Sequence, residues 1–157
     1  MPDRGLLLAV FRLYQLTGAL VERQLSDLGI PAYLFGLLSQ IRHLAPVTPS
    51  ELSQRTGIPT TTLRDNIQRL ADRGLIRRSP NPNDGRSYLI DVTDKGELLA
   101  RAADPALLVA YRSLERRLPR SSAEYERRLA ELDAALAGTL EELEAPQTWE
   151  ASRRGSA

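Results

Sequence analysis

The sequence predicts a mainly α-helical protein with one small β-hairpin, and three observations support this fold class. Apolar residues recur at helical spacing along most of the chain. Two four-residue segments, starting at Thr48 and at Ser121, have the pattern of capping boxes that begin helices. A turn-rich segment separates two short runs of strand type, and the length of 157 residues fits one domain or a small domain with helical extensions.

Composition excludes several kinds of chemistry. The chain has no Cys and a single His, His43, which excludes a disulfide scaffold, a Cys-based zinc site and a thiol nucleophile. The sequence also has no Gly-rich phosphate loop, no metal-spaced cluster and no nucleophile with a base partner. It therefore predicts a protein that is not an enzyme and that needs no cofactor.

The N-terminal apolar run is too short to predict a membrane span. It extends from Leu6 to Phe11 and is interrupted by Arg12, well below the roughly 18 to 20 residues that a span requires. Asp3 and Arg4 precede the run and no small-residue cleavage site follows it, which argues against a secretory signal. We therefore expect a cytoplasmic protein with no membrane partner.

Charge is distributed unevenly along the chain. The formal net charge is only +1, but residues 60–90 contain six Arg and three Asp, whereas residues 94–150 contain twelve acidic and eight basic residues. A basic middle segment is compatible with an anionic partner at that segment.

The first helix is predicted to be apolar on two faces, which indicates burial on two sides. One stripe consists of Leu6, Val10, Leu13 and Leu20, and the stripe beside it consists of Leu7, Phe11, Tyr14, Val21 and Leu25. In a chain this short, the second apolar side is expected to pack against a partner subunit. Pro31 is placed to start the next helix, whose core-spaced residues are Leu34, Leu37, Leu38, Ile41 and Leu44.

Two short helices joined by a tight turn are predicted in the middle of the chain. Thr48 and Glu51 form the capping box that begins the first helix, and Gly57 ends it. The second helix spans residues 60–73 and stops at Gly74. Its inner face carries Leu63, Ile67 and Leu70. This arrangement is a helix-turn-helix.

A wing and two long helices complete the prediction. Residues 75–79 and 87–92 are predicted strands around a turn-rich tip, and a hairpin directly after a helix-turn-helix is a wing. A long helix follows over about 95–118, interrupted or bent near Pro105. The Ser121 capping box opens a final helix with the heptad-like spacing that suits packing against another helix. Its stripe consists of Tyr125, Leu129, Leu132, Leu136, Leu140 and Leu143.

Several short motifs occur in a specific order and spacing over about residues 5–144. They are residues 52–58, 61–63 and 70–76, the wing motif Asp84-Gly85-Arg86, and residues 92–96 ahead of the long helix. In these motifs and in its order of elements, the chain resembles the MarR-type winged helix-turn-helix transcriptional regulators.

The resemblance implies a homodimer that binds double-stranded DNA at a pseudo-palindromic operator. It would act as a repressor or an activator, of which we favour the repressor. Residues 1–30 and 94–145 would form dimerisation helices, residues 31–93 the DNA-binding lobe, and residues 146–157 a flexible tail. The helix over 60–73 would enter the major groove as the recognition helix.

Base reading is expected on the exposed face of the recognition helix. Hydroxyl and amide groups match base edges, and Arg binds guanine. The candidate base readers are Thr61, Thr62, Arg64 and Gln68, with Arg69 on the flank of the same face. The Thr run also suits a helix N-cap, and we assign that role to Thr60.

The pair Arg64 and Asp65 departs from the family pattern, which commonly has Ser or Thr followed by Arg. An acid on the groove face repels phosphate, so Asp65 either accepts a hydrogen bond from a cytosine amine or pairs with Arg69 at i,i+4. Asp65 and Asp72 also leave open another function, a winged-helix protein interaction module without specific DNA binding.

The wing is expected to supply further DNA contacts. The resemblance assigns Arg86 to the minor groove and pairs Asp84 with it; a plain surface salt bridge is the alternative. Arg77 and Arg78 lie on opposite faces of the first wing strand, so one of them is expected to meet phosphate. Ser50 is a further phosphate candidate.

The resemblance also places small anionic or phenolic effectors at the junction of the dimerisation and DNA-binding regions. Candidate pocket residues are Tyr14, Tyr33, Arg42 and His43. For each of them a packed Tyr or a partly exposed polar side chain is the favoured alternative. We expect a ligand at this junction to change the distance between the two recognition helices and thereby the operator affinity.

Overall fold

A computed structural model describes residues 5–144 and confirms a mainly helical fold with a two-stranded antiparallel sheet. In chain order the elements are α1 (Gly5–Gln24), a short 3-10 helix (Ser26–Leu28), α2 (Ala32–Leu44), α3 (Pro49–Thr56), α4 (Thr60–Asp72), β1 (Ile76–Pro80), β2 (Tyr88–Val92), α5 (Asp94–Glu115) and α6 (Ser122–Glu144). The predicted tail over 146–157 lies outside the described residues.

The described residues form two compact units that divide after Leu114. The first unit contains α1 to α4, the sheet and α5 up to that residue, and the second contains α6. The helix-turn-helix and the wing therefore lie within the first unit.

An aliphatic core lies beneath the helix-turn-helix. Its fully buried side chains include Leu34, Leu38, Ile41, Leu52, Leu63, Ile67, Leu70 and Ile90. Among the described residues no polar or charged residue is buried. Apolar burial, worth about 1.5–3 kcal/mol for each fully buried aliphatic side chain, therefore holds this region together and leaves its polar side chains at the surface.

The capping box of α3 forms as predicted. The Thr48 hydroxyl accepts a hydrogen bond from the Glu51 N–H at 3.2 Å, and the Glu51 carboxylate accepts one from the Thr48 N–H at 2.9 Å. The bond from the backbone stabilises the charged carboxylate and lowers the pKa of Glu51. Gly57, with φ 67°, ends the helix in the left-handed conformation that glycine tolerates.

The predicted N-cap of α4 is wrong. Pro59, with φ −55° and ψ 139°, occupies the cap position, and its carbonyl accepts the first helical hydrogen bond from the Leu63 N–H at 2.9 Å. Because the extended conformation of Pro59 already starts the hydrogen-bond ladder there, Thr60 becomes the first helical residue.

The wing strands each begin one residue later than predicted. The Leu75 N–H donates to the Leu70 carbonyl at 3.0 Å and closes α4, so β1 begins at Ile76. β1 and β2 pair antiparallel from Ile76 opposite Val92 to Pro80 opposite Tyr88. Val47 and the buried Ile90 exchange two backbone hydrogen bonds, at 3.1 and 2.8 Å, which tie the wing to the loop before α3.

The two long helices differ from the prediction in detail. α5 continues through Pro105 and ends at Glu115. Of the two expected outcomes at this proline, an interruption or a bend, the interruption is absent. The Ala residues beside Pro105 favour helix and offset part of the cost of a proline in a helix interior. The Ser121 hydroxyl caps α6 by accepting from the Glu124 N–H at 3.3 Å. The Glu124 carboxylate pairs with Arg120, however, instead of completing the capping box.

α1 exposes most of both apolar stripes in the single chain, although Val21 packs against the core and Leu25, just after the helix, is buried. None of its residues is buried, and Leu7, Phe11 and Tyr14 are each at least 60% exposed. The expectation that no segment could span a membrane is also corrected, because α1 is long and apolar enough to do so by length and composition. Arg12 interrupts the first apolar run, but the leucines beyond it restore the apolar character. The same composition fits a helix enclosed between subunits.

The start of α5 is crowded against the wing. The Thr93 hydroxyl donates to the Gly74 carbonyl at 2.7 Å and accepts from the Gly96 N–H at 3.1 Å. Gly96 is so close to the Leu75 carbonyl and the Val92 side chain that a Cβ atom at this position would overlap both. A glycine is therefore required where α5 meets Leu75 and the end of β2.

We predict that Gly96→Ala destabilises the protein by at least about 2 kcal/mol, because a backbone carbonyl cannot move aside as a flexible side chain can. The free energy of unfolding, measured by chemical denaturation, checks this. Gly36→Ala is the matched control, since a Cβ there meets nothing within 4 Å in α2; it should stabilise by about 0.5–1 kcal/mol. Equal effects of the two substitutions would contradict the crowded junction.

Candidate nucleic-acid interface

α4 separates an apolar face from a polar face. Its inner residues Leu63, Ile67 and Leu70 are fully buried, as predicted. The residues on its exposed surface are Thr60, Thr61, Thr62, Arg64, Asp65, Gln68, Arg69 and Asp72. The amphipathic packing of one helix therefore presents every candidate base reader to solvent.

Asp65 and Arg69 do not form the i,i+4 pair. The Arg69 Nη1 instead donates to the Tyr33 hydroxyl at 2.8 Å. Among the described residues Asp65 forms no ion pair. Its expected partner within the protein, Arg69, is bonded to Tyr33 instead. A surface i,i+4 pair is worth only about 0.3–0.5 kcal/mol, too little to hold Arg69 against a competing contact.

Gln68 connects α4 to the wing. Its Nε2 donates to Asp72 Oδ1 at 2.6 Å, and its Oε1 accepts from Arg78 Nη2 at 2.9 Å. The Arg78 guanidinium also lies 5.2 Å from the centroid of the Tyr88 ring, within the range of a cation–π contact. One amide thus joins α4 and β1 on the exposed surface.

Arg77 and Arg78 lie on opposite faces of β1, as expected for successive strand residues. Arg77 pairs with Asp91, which lies directly opposite it in the antiparallel register. Arg78 faces α4 through Gln68. Both guanidinium groups therefore have partners within the protein.

The wing tip corrects the expected pairing of Asp84 with Arg86. Asp84 Oδ1 accepts from the backbone N–H of Arg86 at 3.0 Å, and the Asp84 carbonyl accepts from the Ser87 N–H at 3.0 Å. A short acidic side chain in a turn satisfies the backbone two residues on, which leaves the exposed Arg86 guanidinium without an ion pair among the described residues. Ser50 is likewise exposed, in the first turn of α3.

The four candidate ligand residues are not gathered in one pocket. Tyr33 lines an open cleft of about 390 Å³ together with Pro31, Leu34, Arg69, Asp72 and Arg73. Tyr14 is 68% exposed on α1, and His43 is exposed at the end of α2. Arg69 and Arg73 were not predicted to lie beside Tyr33; their spacing of four residues places them on one face of α4, but only the packing of α2 against α4 brings Tyr33 to them.

Arg42 is held by an acidic partner on α5. Its Nε and Nη2 donate to the two carboxylate oxygens of Glu97 at 2.9 and 2.7 Å, and Arg101 also pairs with Glu97. The hydrogen bond from Arg42 is the main cause that lowers the pKa of Glu97. Arg42 therefore fixes α2 to α5 in this structure.

Sequence comparisons place the chain beside bacterial transcription regulators. Residues 29–87 match the family model described as "MarR family". The transcriptional repressor NicR of Pseudomonas putida is 30% identical over 92 residues, which are 59% of this chain and 58% of that protein. The multiple antibiotic resistance protein MarR of Escherichia coli is 38% identical over 77 residues, 49% of this chain and 54% of that protein. The matched segments thus span a little over half the length of these relatives.

Solved structures extend the similarity over most of the chain. A mutant of E. coli MarR complexed with operator DNA superposes with a TM-score of 0.72 at 27% identity, covering 84% of this chain and 99% of that chain. A MarR transcriptional regulator from Methanosarcina mazei Go1 gives a TM-score of 0.70 at 20% identity and supports the fold alone, covering 88% and 99% of the two chains.

We predict that Glu97→Gln lowers the melting temperature at neutral pH and that the difference from the parent disappears in acid. The pKa of Glu97 is lower in the folded chain than in the unfolded chain. The ion pair therefore stabilises the folded chain fully at pH values above the pKa that Glu97 has in the unfolded chain. This stabilisation is lost as the pH falls through the lowered value. A series of thermal melts from neutral to acidic pH measures the difference.

The control for this series is Glu126→Gln, which removes the same charge from an exposed position on α6 that has no ion pair among the described residues. A gap between Glu97→Gln and the parent that stays constant with pH would show that the ion pair does not stabilise the fold.

Proposed function

We propose that this chain is a winged helix-turn-helix transcriptional regulator of the MarR family, to which it is similar in sequence and structure, and that it is a homodimeric repressor that binds a pseudo-palindromic operator. The observation that carries the proposal is the exposed polar face of α4, joined to the wing by the bond from Arg78 to Gln68. A helix with this polarity fits the major groove, and an adjoining hairpin can follow the backbone to the next groove.

The proposed contacts divide into base readers and phosphate binders. Thr61, Thr62, Arg64 and Gln68 would read base edges, because their side chains supply hydroxyl, guanidinium and amide groups. Arg86 would enter the minor groove, since its guanidinium is exposed while Asp84 holds the tip. The phosphate contacts would come from Ser50, Thr60, Arg69, Arg77 and Arg78.

The proposed dimer explains the exposed apolar helices. α1 exposes Leu7, Phe11 and Tyr14, and α6 separately exposes Leu129 and Leu140. Contiguous apolar surface of this kind indicates a protein interface. A two-fold pairing would set two recognition helices about 34–36 Å apart, one turn of DNA.

The effector and the cellular location are also parts of the proposal. A small anionic or phenolic ligand would relieve operator binding. The open cleft lined by Tyr33, Arg69, Asp72 and Arg73 is one candidate place for such a ligand. We place the protein in the cytoplasm, where its DNA partner lies. The exposed Asp65 and Asp72 favour one other candidate, a winged-helix protein interaction module without specific DNA binding.

We predict that selection from a random DNA pool recovers a pseudo-palindrome and that Arg86→Ala weakens its binding. Loss of one cation that contacts phosphate or the minor groove should reduce the slope of log K against log salt by about 1. It should also weaken the binding free energy by about 1–3 kcal/mol. Binding isotherms at two or more salt concentrations provide both quantities.

Arg112→Ala on α5 is the charge-matched control for Arg86→Ala. It also removes an exposed arginine, but one that lies outside the proposed DNA interface. A parent protein that enriches no sequence would refute the DNA-binding proposal and favour the protein interaction module. Equal losses from the two variants would refute the role of Arg86.

We predict that the chain is dimeric and that Phe11→Asp shifts it toward monomer and lowers operator affinity, because it places a charge in an apolar interface. Sedimentation velocity over a concentration series measures the first effect. Gln15→Asp is the control, as it introduces the same charge on α1 outside the apolar stripes. Partition of the parent chain into membranes would instead indicate that α1 crosses a bilayer.

A further inference from the structure

The side-chain amide of Gln68 is held between two groups of opposite hydrogen-bonding character. Its Oε1 accepts from Arg78 and its Nε2 donates to Asp72. A guanidinium can only donate and a carboxylate can only accept. If the amide were rotated by half a turn, its N–H groups would face the Arg78 donors and its oxygen would face the Asp72 carboxylate, and neither hydrogen bond could form. The two partners therefore fix which end of the amide points to the wing.

The partner on the wing is itself held in place. Arg78 lies opposite Ile90 in the strand register, and its guanidinium lies over Tyr88, the residue diagonal to it on β2. Diagonal neighbours on one sheet face are within reach of long and aromatic side chains. The amide of Gln68 is therefore oriented by a strand as well as by its own helix.

The two internal bonds leave a defined set of free groups on Gln68. An amide has two N–H donors and an oxygen with two lone pairs. Asp72 occupies one N–H and Arg78 occupies one lone pair. One donor and one acceptor remain on this exposed side chain. In the major groove adenine presents one donor, N6–H, and one acceptor, N7, whereas guanine presents two acceptors, N7 and O6.

On the basis of the proposed function, we propose that Gln68 reads adenine and that Asp72 sets the preference for adenine over guanine by occupying the second N–H. Adenine can bond to both free groups of the amide. Guanine can take only one bond, and its second acceptor faces the amide oxygen. Without Asp72, both N–H groups could donate to guanine. Asp72 is thus a positioning residue that acts through Gln68 and need not touch DNA.

The test measures base preference in matched variants. In the operator recovered by the parent, each A·T pair of a half-site is replaced in turn by G·C, and dissociation constants are measured for the parent, Gln68→Ala, Asp72→Ala and Asp72→Asn. We expect one base pair at which the parent prefers adenine by about tenfold or more. Gln68→Ala should abolish this preference, and Asp72→Ala should reduce it to within about threefold.

Asp72→Asn separates the hydrogen bond from the charge. It removes the same negative charge as Asp72→Ala but retains a carbonyl oxygen that can accept from Gln68, so it should keep the adenine preference. Both variants should also raise the non-specific affinity for DNA by a similar factor, because an acid near phosphate is removed in each.

Three results would overturn the inference. Equal adenine preference in Asp72→Ala and Asp72→Asn would show that the hydrogen bond from Gln68 to Asp72 does not set specificity. An adenine preference unaffected by Gln68→Ala would show that another residue reads that base. A parent protein without sequence-selective binding would refute the proposed function and this inference together, and the first two results arise only when the proposed function holds.

Discussion

Burial of one face of α4 is the constraint on which the candidate interface depends. Leu63, Ile67 and Leu70 are all fully buried, and their spacing of four and three residues keeps them on one side of the helix. These three residues determine the rotation of α4 about its axis. The direction of Arg64 and Gln68 follows from that rotation, because side chains on one helix turn together. The orientation of the proposed base-reading surface is therefore a consequence of apolar packing on the opposite face.

The junction of α4, β1 and α5 transmits this placement to the wing. Gly74 closes α4, its carbonyl accepts from the Thr93 hydroxyl, and Lys95 donates to the Arg73 carbonyl at 2.6 Å. Gly96 then packs against the backbone of Leu75, between α4 and β1. α5 is also fixed to α2 through Glu97. A displacement of α5 would therefore act on the end of α4 and on the base of the wing at the same time.

Local signals in the sequence predicted most of the fold and part of the site. The capping box at Thr48 and the buried face of α4 depend on residues within one or two helical turns, so their spacing alone was sufficient. The contact of Arg69 with Tyr33 joins residues 36 positions apart and depends on how α2 packs against α4. The i,i+4 rule favoured Asp65 for Arg69, but such a surface pair is too weak to decide a conformation. The bond from Arg78 to Gln68 could not be predicted from local spacing either, because it depends on how the wing packs against α4.

The acidic residues on the exposed face of α4, the proposed recognition face, would raise the ratio of specific to non-specific DNA affinity. Phosphate attraction supplies nearly all non-specific affinity and grows with the number of cations that meet the backbone. Here Arg77 is already neutralised by Asp91, and Asp65 adds a negative charge to the exposed face of α4. Both features would weaken binding to DNA of any sequence. The proposed base contacts of the Gln68 amide would be unaffected by this loss, because they depend on hydrogen-bond geometry. Reducing the background while keeping the base contacts raises the ratio of specific to non-specific affinity, which is the quantity that decides occupancy of one site among many competing ones.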